Sequence, residues 1–471
     1  MKGFAGGRRG PIGFGLLVLL LAGLAALLAR SGDAATEPAT GHLSGVAAVA
    51  AGNFHTCVLT RRGAVECWGI NSHGQLGDGT KTERHAPVAV SGLTSGVAAI
   101  AAGETHTCAL TRAGAVKCWG NNESGQLGDG TTTDRSRPVA VPHLASGVIA
   151  ITAGDEHTCA VKANGAAKCW GWNDSGQLGD GTWAERHAPV SVSGLTSGVV
   201  AIAAGGYYTC ALTSTGAVEC WGENLDGQLG DGTENDRRRP VAVSGLSSGV
   251  AAITAGFADT CALTSANALK CWGGNAFGEL GDGTTTDHST PVDVSGLSSG
   301  VTAMTVGFDH TCALTNAGAV ECWGTNDSGE LGDGTTTERH APVAVSGLTG
   351  GVAAIAAGNG HTCAVTSTGV VECWGYNGSG QLGDGTTKER HRPVEVLAVG
   401  RACVVPNVIG NRLPRAKARL TRADCRVGKI RYEPSTQSKK GRVLAEHPGP
   451  HTKLANDAKV GLTVGRGPVQ R

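Results

Sequence analysis

Residues 95–141 read SGVAAIAAGETHTCALTRAGAVKCWGNNESGQLGDGTTTDRSRPVAV, and this segment decides the fold. The tripeptide Cys-Trp-Gly recurs seven times at a constant interval of 51 residues, and another cysteine precedes each copy by ten. Each unit offers four short strand candidates, here VAAIAAG, HTCALT, AVKCWG and RPVAV, separated by Gly, Asn, Asp and Pro. Four short strands per unit in seven units are typical of a closed β-propeller. An open solenoid is the alternative, but it would need distinct end repeats.

Composition supports an all-β interpretation. The chain has 471 residues, including 75 Gly, and 17% of its residues are charged. So many glycines without a collagen-like triplet indicate frequent tight turns, which suit short strands better than helices. The net charge is zero, but residues 401–471 carry 16 Lys or Arg against 4 Asp or Glu, a net of +12. The sequence therefore predicts an acidic body followed by a basic tail.

The N-terminus, residues 1–36, has the pattern of a signal peptide or an N-terminal membrane anchor. A basic start precedes an apolar run over 14–29 and a small-residue stretch around Ala34. This run of 16 residues is short for a spanning helix, which needs about 20, and so favours a signal peptide. Arg30 directly follows the run and makes the cleavage site less clear, so an uncleaved anchor is the alternative. Either alternative exports the rest of the chain, so we expect an extracellular or cell-surface protein, secreted or anchored.

Three motifs recur in the units, namely G-x-x-H-T-C-A-L-T, G-x-V-x-C-W-G-x-N and G-[QE]-L-G-D-G-T, as seen together at 103–131. They resemble those of the regulator-of-chromosome-condensation (RCC1) repeat family, in an exported form of bacterial type. The resemblance covers residues 44–397 and implies a seven-bladed β-propeller. Members of this family often close the ring by combining strands of the first and last repeats in one blade.

Residues 403–467 are predicted to form a separate, small α+β domain. The predicted elements are a helix from Pro414 to about Asp424 and strands near 427–432, 442–446 and 459–464. The segments VPNVIG at 405–410 and VGLTV at 460–464 resemble the PASTA module of bacterial wall proteins. The resemblance implies binding to peptidoglycan or another anionic wall polymer, which the charge of +12 also suits. A role as a spacer is the alternative.

The two cysteines of each unit flank a short turn, and symmetric pairing of the strands places Cys57 directly opposite Cys67. In an exported chain this arrangement favours a disulfide within each blade. The alternative is that the thiols stay reduced as small core residues. The predicted pairs are Cys57 and Cys67, Cys108 and Cys118, Cys159 and Cys169, Cys210 and Cys220, Cys261 and Cys271, Cys312 and Cys322, and Cys363 and Cys373, with Cys403 and Cys425 as a further pair.

Zinc is the other chemistry that these cysteines could serve. A histidine stands two residues before the first cysteine in five units, at His55, His106, His157, His310 and His361. The units with Tyr208 and Asp259 at that position keep both cysteines, and the short Cys-x2-Cys pairs of structural zinc sites are absent. We therefore expect no metal and no cofactor.

Positions that differ between units are not needed to build the blade, and two of them stand out. One is the pair of residues before the HTC strand, and the other is the residue after Cys-Trp-Gly. Both should lie at one rim of the ring, because the start of a strand and the end of its hairpin partner share an edge. Aromatic residues stand there among carboxylates, which is typical of protein interfaces. The predicted partner-binding rim is Phe54, Trp172, Tyr207, Phe257, Phe308 and Tyr376; local packing against neighbouring loops is the alternative.

The charged segments that follow GDGT, such as 82–87, are predicted to be solvated loops, with a further contact surface as the alternative.

The sequence favours a cell-surface binding scaffold that is not an enzyme. Its rim would recognise a protein, its basic domain would associate with the cell wall, and nucleic acid is not an expected partner of an exported chain. One alternative is a secreted inhibitor of an extracellular enzyme, since the repeat also resembles the propeller class of β-lactamase-inhibitory proteins. Guanine-nucleotide exchange, known in eukaryotic relatives, uses a wedge inserted in a blade, whereas the interval of 51 leaves no insertion here. No hydrolase constellation stands out from the repeats.

Overall fold

The computed structural model describes residues 41–398, 403–423, 425–454 and 459–468. The chain divides into two compact units after Leu397, and each unit is considered by itself. The predicted signal or anchor segment, residues 1–36, lies outside the described residues. Within the described ranges, no helix is long and apolar enough to cross a membrane.

The first unit consists of seven four-stranded antiparallel sheets that make a seven-bladed β-propeller. Each blade is a meander of four consecutive strands. Blades 1 to 4 contain β1 (Val46–Ala51), β2 (His55–Thr60), β3 (Val65–Gly69), β4 (Arg84–Ala89), β5 (Val97–Ala102), β6 (His106–Thr111), β7 (Val116–Gly120), β8 (Arg135–Ala140), β9 (Val148–Ala153), β10 (His157–Lys162), β11 (Ala167–Gly171), β12 (Arg186–Ser191), β13 (Val199–Ala204), β14 (Tyr208–Thr213), β15 (Val218–Gly222) and β16 (Arg237–Ala242). Blades 5 to 7 contain β17 (Val250–Ala255), β18 (Asp259–Thr264), β19 (Leu269–Gly273), β20 (His288–Asp293), β21 (Val301–Val306), β22 (His310–Thr315), β23 (Val320–Gly324), β24 (Arg339–Ala344), β25 (Val352–Ala357), β26 (His361–Thr366), β27 (Val371–Gly375) and β28 (Arg390–Glu395).

Burial decreases from the inner to the outer strands of a blade. Every residue of β2 except Thr60 is buried, because neighbouring blades cover both faces of the sheet at that depth. The outermost strand β4 is mostly half-buried or exposed. This gradient explains why the HTC strands read as nearly continuous apolar or small residues without alternation.

The predicted register of the cysteines is confirmed, since Cys57 pairs directly with Cys67 in the sheet. The structure joins the two cysteines of each blade in a disulfide, with Cα atoms 4.0–4.1 Å apart in all seven blades. Such bonds are typical of proteins folded in an oxidising compartment. Cys425 is also disulfide-bonded, but the side chain of its predicted partner Cys403 lies outside the described part of the chain.

Each repeat tryptophan packs into the preceding blade and is completely buried. Trp119 of blade 2 belongs to the apolar cluster of blade 1, and its indole Nε1 donates a hydrogen bond of 2.8 Å to the carbonyl oxygen of Gln75. The hydroxyl of Thr107 donates to the same carbonyl oxygen at 2.9 Å. Adjacent blades are therefore joined by apolar packing and by two hydrogen bonds to one backbone carbonyl oxygen.

A belt of histidines links the blades around the axis. The Nε2 atom of His55 lies 2.9 Å from the hydroxyl of Thr107 in the next blade. Since Thr107 donates its proton to Gln75, the histidine must carry its proton on Nε2 and donate it. The same contact joins His106 to Thr158, His157 to Thr209, His310 to Thr362 and His361 to Thr56. Burial lowers the pKa of these histidines to about 3 or 4, so they are neutral in the folded protein.

Blades 4 and 5 depart from the belt. The Tyr208 hydroxyl donates to the carbonyl oxygen of Asp259 at 2.6 Å, so tyrosine still reaches the next blade. The Asp259 carboxylate is too short to fill the place of an imidazole. Val306 occupies part of that space, and it replaces the alanine that ends the first strand of the other six blades. Asp259 is buried beside Thr311, yet neither of its carboxylate oxygens has a hydrogen bond of good geometry.

Within residues 41–398, the ring closes without a blade that mixes strands from both ends of the propeller. Blade 7 contacts blade 1 as every other pair of blades does, for example through Trp68, whose Nε1 donates to the carbonyl oxygen of Gln381 at 2.7 Å. Residues before β1 add a clasp, because the backbone nitrogen of Leu43 donates to Val396 at 2.8 Å. His42 also forms a β-bridge with Leu397.

The second unit contains α1 (Leu413–Arg422), β29 (Cys403–Val404), β30 (Arg426–Pro434), a 3-10 turn (Gln437–Lys439), β31 (Val443–His447), β32 (Lys453–Leu454) and β33 (Lys459–Gly467). Strand β33 lies in the middle of a three-stranded sheet, parallel to β30 and antiparallel to β31. The helix packs Ala416 and Leu420 against this sheet, and both side chains are completely buried. The helix and three strands predicted from the sequence are therefore present, with small shifts at their ends.

Candidate binding face of the propeller

We call the loop face the side of the propeller that carries the turns between first and second strands and the loops between third and fourth strands. In all seven blades, a backbone hydrogen bond of 2.7–3.0 Å joins the two variable positions on this face. In blade 3, for example, the nitrogen of Trp172 donates to the carbonyl oxygen of Glu156. The two sets of variable residues therefore share one edge of each blade, in agreement with the pairing from which the rim was predicted.

The six predicted rim aromatics all lie on this face and are half-buried. Five of them contact one another in two groups. Phe257 and Phe308 stack with ring centroids 4.1 Å apart, and Tyr207 meets Phe257 edge-on at 6.0 Å. Phe54 and Tyr376 form a second edge-on pair at 5.8 Å, across the junction of blades 1 and 7. Local packing between loops therefore accounts for part of their burial, and the rest of each ring remains open to solvent.

A cavity of about 90 Å³ lies on the propeller axis at this face. Every blade contributes the same three positions to it: the last residue of its first strand, the following glycine and the variable residue after that glycine. The glycine is required because a Cβ atom on Gly103 would lie 2.3 Å from the carbonyl oxygen of Gly154 and 2.5 Å from His106. The variable residues at the mouth are Asn53, Glu104, Asp155, Gly206, Phe257, Phe308 and Asn359.

Carboxylates crowd the part of this face formed by blades 2 to 4. Burial is the main cause that raises the pKa of Asp155, the neighbouring charges of Glu104, Glu156 and Glu223 act in the same direction, and together they bring it to about 7. Burial and the Glu156 charge also raise the pKa of Glu104, although His73 and Asn53 oppose this effect. The Tyr207 hydroxyl lies near the same four carboxylates, and its pKa is raised by burial first and by their charge second.

A second acidic group lies near the Phe257–Phe308 stack. Burial raises the pKa of Asp309 to about 6 and that of Glu279 to about 7. No cluster of three or more His, Cys, Asp or Glu side chains in the described ranges has the geometry to hold a metal ion. The loop face is thus acidic and aromatic.

The charged segments after GDGT are predicted from the sequence to be solvated loops, but part of their charge is held in hydrogen bonds and ion pairs. The aspartate of each GDGT turn accepts hydrogen bonds from the threonine two residues later, as Asp78 does from Thr80 at 2.8 Å. The same carboxylate binds the first residue of the outer strand, with Arg84 at 2.9 Å. Burial alone would raise the pKa of Asp78, but these hydrogen bonds outweigh it and lower the pKa. In blade 1, Asp78 and Arg84 are therefore part of the folded loop, whereas residues 81–83 between them are exposed.

The C-terminal unit has its own cavity, of about 570 Å³. Apolar and basic side chains line it, among them Ile409, which is 48% exposed, and Lys439. Arg442 lines it as well, but its guanidinium group donates to the carbonyl oxygen of Gly410 at 2.9 Å. The C-terminal unit thus has a concave surface of mixed apolar, polar and basic character.

Comparison with protein families gives matches over both units. Residues 184–410 match the RCC1-like domain. Residues 62–110 and 113–161 match the Regulator of chromosome condensation (RCC1) repeat, and 46–75, 97–126 and 148–177 match a second family of the same description. Residues 404–466 match the PASTA domain.

Among individual proteins, the ultraviolet-B receptor UVR8 of Arabidopsis thaliana is 31% identical over 379 residues, which cover 79% of this chain and 86% of that protein. The human E3 ubiquitin-protein ligase HERC2 is 33% identical over 348 residues, which cover 72% of this chain but only 7% of HERC2. The fold is similar to that of yeast RCC1 (Prp20) bound to Kap60, with a TM-score of 0.64, 23% identity and coverage of 78% of this chain and 91% of that one. Human WBSCR16 gives a TM-score of 0.63 at 24% identity, with 72% and 96% covered.

Proposed function

This chain belongs to the RCC1 repeat family, and we propose that it is an exported binding scaffold that recognises a protein partner with its loop face. The observation that carries the proposal is the distribution of variation among the seven blades. Residues that build the blade repeat almost unchanged, whereas the aromatic and acidic side chains at the loop face differ from blade to blade. Half-exposed aromatic side chains among polar groups are what protein interfaces use as anchors.

Export is supported by the disulfides and by the N-terminal sequence. Seven disulfides, one in each blade, suit an extracellular or other oxidising compartment, because thiols stay reduced in the cytosol. The basic start and apolar run before residue 30 are the pattern of a segment that directs export.

The C-terminal unit would hold the protein at the cell wall. Its match to the PASTA domain, its net charge of +12 and its cavity with Lys439 at the edge support binding to an anionic wall polymer.

A receptor-like role without catalysis agrees with the name of UVR8, which is a receptor. Nucleotide exchange finds less support, because all seven repeats keep the interval of 51 with no inserted wedge.

The loop-face proposal is tested by affinity capture of exported and surface proteins on the full-length oxidised chain, followed by mass spectrometry. The test variant is Phe257→Ala/Phe308→Ala, and the matched control is Trp183→Ala/Phe277→Ala, which removes two exposed aromatics from outer loops. We expect a protein that is retained by the wild type and the control but lost from the test variant. Retention by all three chains would contradict the role of the loop face.

Wall association is tested by co-sedimentation of the full chain with insoluble peptidoglycan. The variant Lys439→Glu/Lys440→Glu changes two exposed charges of the C-terminal unit. The control Arg62→Glu/Arg112→Glu makes the same charge change on exposed hairpins of the propeller. We expect only the first variant to stay in the supernatant; equal sedimentation of both would contradict a specific contact with the C-terminal unit.

A further inference from the structure

The mouth of the axial cavity has two chemically different halves. Its ring of variable residues places Glu104 and Asp155 side by side in blades 2 and 3, and Phe257 and Phe308 side by side in blades 5 and 6. Gly206 lies between the two pairs on one side, and the amides Asn359 and Asn53 lie between them on the other. This asymmetry arises from variable positions alone, because the other two lining positions of each blade are Ala or Val and Gly.

The acidic half of the cavity mouth carries no Lys or Arg among the described residues that line it. The Asp155 carboxylate lines the cavity, is mostly buried and receives no hydrogen bond in the described part of the chain. Its charged neighbours are Glu104, Glu156 and Glu223. The imidazole of His73 faces Glu104, but it is also paired with Asp134 at 3.2 Å.

In the apolar half of the mouth, two phenylalanine rings pack against each other near the propeller axis. Phe257 and Phe308 stack at 4.1 Å, and Tyr207 supports Phe257 from the outside. A Cβ atom on residue 206 would lie 2.9 Å from the Phe257 ring, so glycine leaves the space that this ring needs. The volume of about 90 Å³ corresponds to about three water molecules, enough for a small charged group and too little for a folded element.

We propose that this mouth binds a basic residue followed by an apolar one on a protruding segment of the partner protein. The ammonium or guanidinium group would enter between Glu104 and Asp155, and the neighbouring apolar side chain would pack on Phe257 and Phe308. Opposite charge in a partly buried site gives specificity, and the aromatic pair adds apolar contact area. This inference rests on the proposed function and names the chemistry of the partner at the same face.

The test uses three capped hexapeptides, Gly-Ser-Arg-Phe-Ser-Gly, the same peptide with citrulline in place of Arg, and the same peptide with Ala in place of Phe. Their affinities for the full-length oxidised chain are measured by calorimetry at low salt and about pH 8, where carboxylates with raised pKa values are ionised. We expect the Arg-Phe peptide to bind at least about tenfold more tightly than either analogue.

The variants separate a local contact from a general effect of charge. Glu104→Gln/Asp155→Asn should weaken binding of the Arg-Phe peptide by at least about tenfold, whereas Asp174→Asn/Asp327→Asn should change it by less than about twofold. Both pairs remove two negative charges from the loop face, but Asp174 and Asp327 are exposed on outer loops. Circular dichroism and the thiol content of each variant establish that it is folded and oxidised.

Three results would overturn the inference: equal binding of the Arg and citrulline peptides, equal loss in both variants, or no binding of the Arg-Phe peptide at about 5 mM. The proposed function can hold even where this inference fails. If Phe257→Ala/Phe308→Ala loses a captured protein while Glu104→Gln/Asp155→Asn keeps it, the loop face binds a partner by another chemistry.

Discussion

Asp155 combines an unfavourable burial of charge with a place at the mouth of the axial cavity. Burial and three neighbouring carboxylates raise its pKa from 3.8 to about 7. The folded protein therefore holds this proton more tightly than the unfolded chain does. Stability should fall as pH rises from about 4 to about 7, because the carboxylate must ionise in an unfavourable place.

The prediction at this scale concerns the variant Asp155→Asn. The amide cannot ionise, so the fall in the guanidinium unfolding midpoint between about pH 5 and about pH 8 should be smaller than in the wild type. Asp174→Asn, which changes an exposed carboxylate, should leave the wild-type difference unchanged. An identical pH dependence in Asp155→Asn and the wild type would show that this carboxylate titrates normally.

At the scale of strands and blades, the seven copies of the repeat can be compared with one another at the same position. Five blades use histidine to reach the threonine of the next blade, and blade 4 uses tyrosine. Blade 5 has a shorter residue at this position, Asp259, and the first strand of blade 6 ends in a larger residue, Val306. Since the two changes compensate in volume, they should be coupled in their effect on stability.

A double-mutant cycle on Asp259→His and Val306→Ala tests this coupling. Asp259→His alone should lower the free energy of unfolding, because the imidazole meets the Val306 side chain. Val306→Ala alone should also lower it by leaving a cavity, whereas the double variant restores the arrangement of the other blades and should be more stable than the sum predicts by about 1 kcal/mol or more. Additive effects in urea unfolding would mean that the two positions are independent.

Each disulfide acts within a single hairpin. It closes a loop of about ten residues, so Cys159→Ala/Cys169→Ala should lower the free energy of unfolding by about 2–3 kcal/mol. The same change in blade 6, Cys312→Ala/Cys322→Ala, should give a similar loss, because the two hairpins have the same geometry. Denaturant unfolding of both variants checks this, and an unchanged unfolding midpoint in either would argue against a structural role for that bond.

For the whole molecule, the blades could be predicted from the sequence because each repeat restates the same strand pattern seven times. The pairing of Cys57 with Cys67 followed from the symmetry of a short hairpin, which is a local property. The histidine belt was not predicted, since it joins residues 52 positions apart in different blades. Nor was the clasp at Leu43, because it depends on residues outside the repeat that meet the last strand only when the ring closes.

The candidate binding face could be predicted only in part. Comparison of the repeats located the rim aromatics, because variation among copies is visible in one chain. It did not reveal that Glu104 and Asp155 would share an axial mouth with Phe257 and Phe308. That arrangement needs the order of the blades around a closed ring, which places distant repeats opposite one another.

The central claim, that partners bind the loop face, is tested most directly by site-specific photo-cross-linking in the native setting. Benzoylphenylalanine is placed at Trp172 or Tyr376 on the loop face, or at Ala163 or Ala266 on exposed hairpins of the opposite face. We predict cross-links to one partner protein from Trp172 and Tyr376 and none from the other two positions. Cross-links to that protein from Ala163 and Ala266 instead would contradict the account and move the binding site to the other side of the propeller.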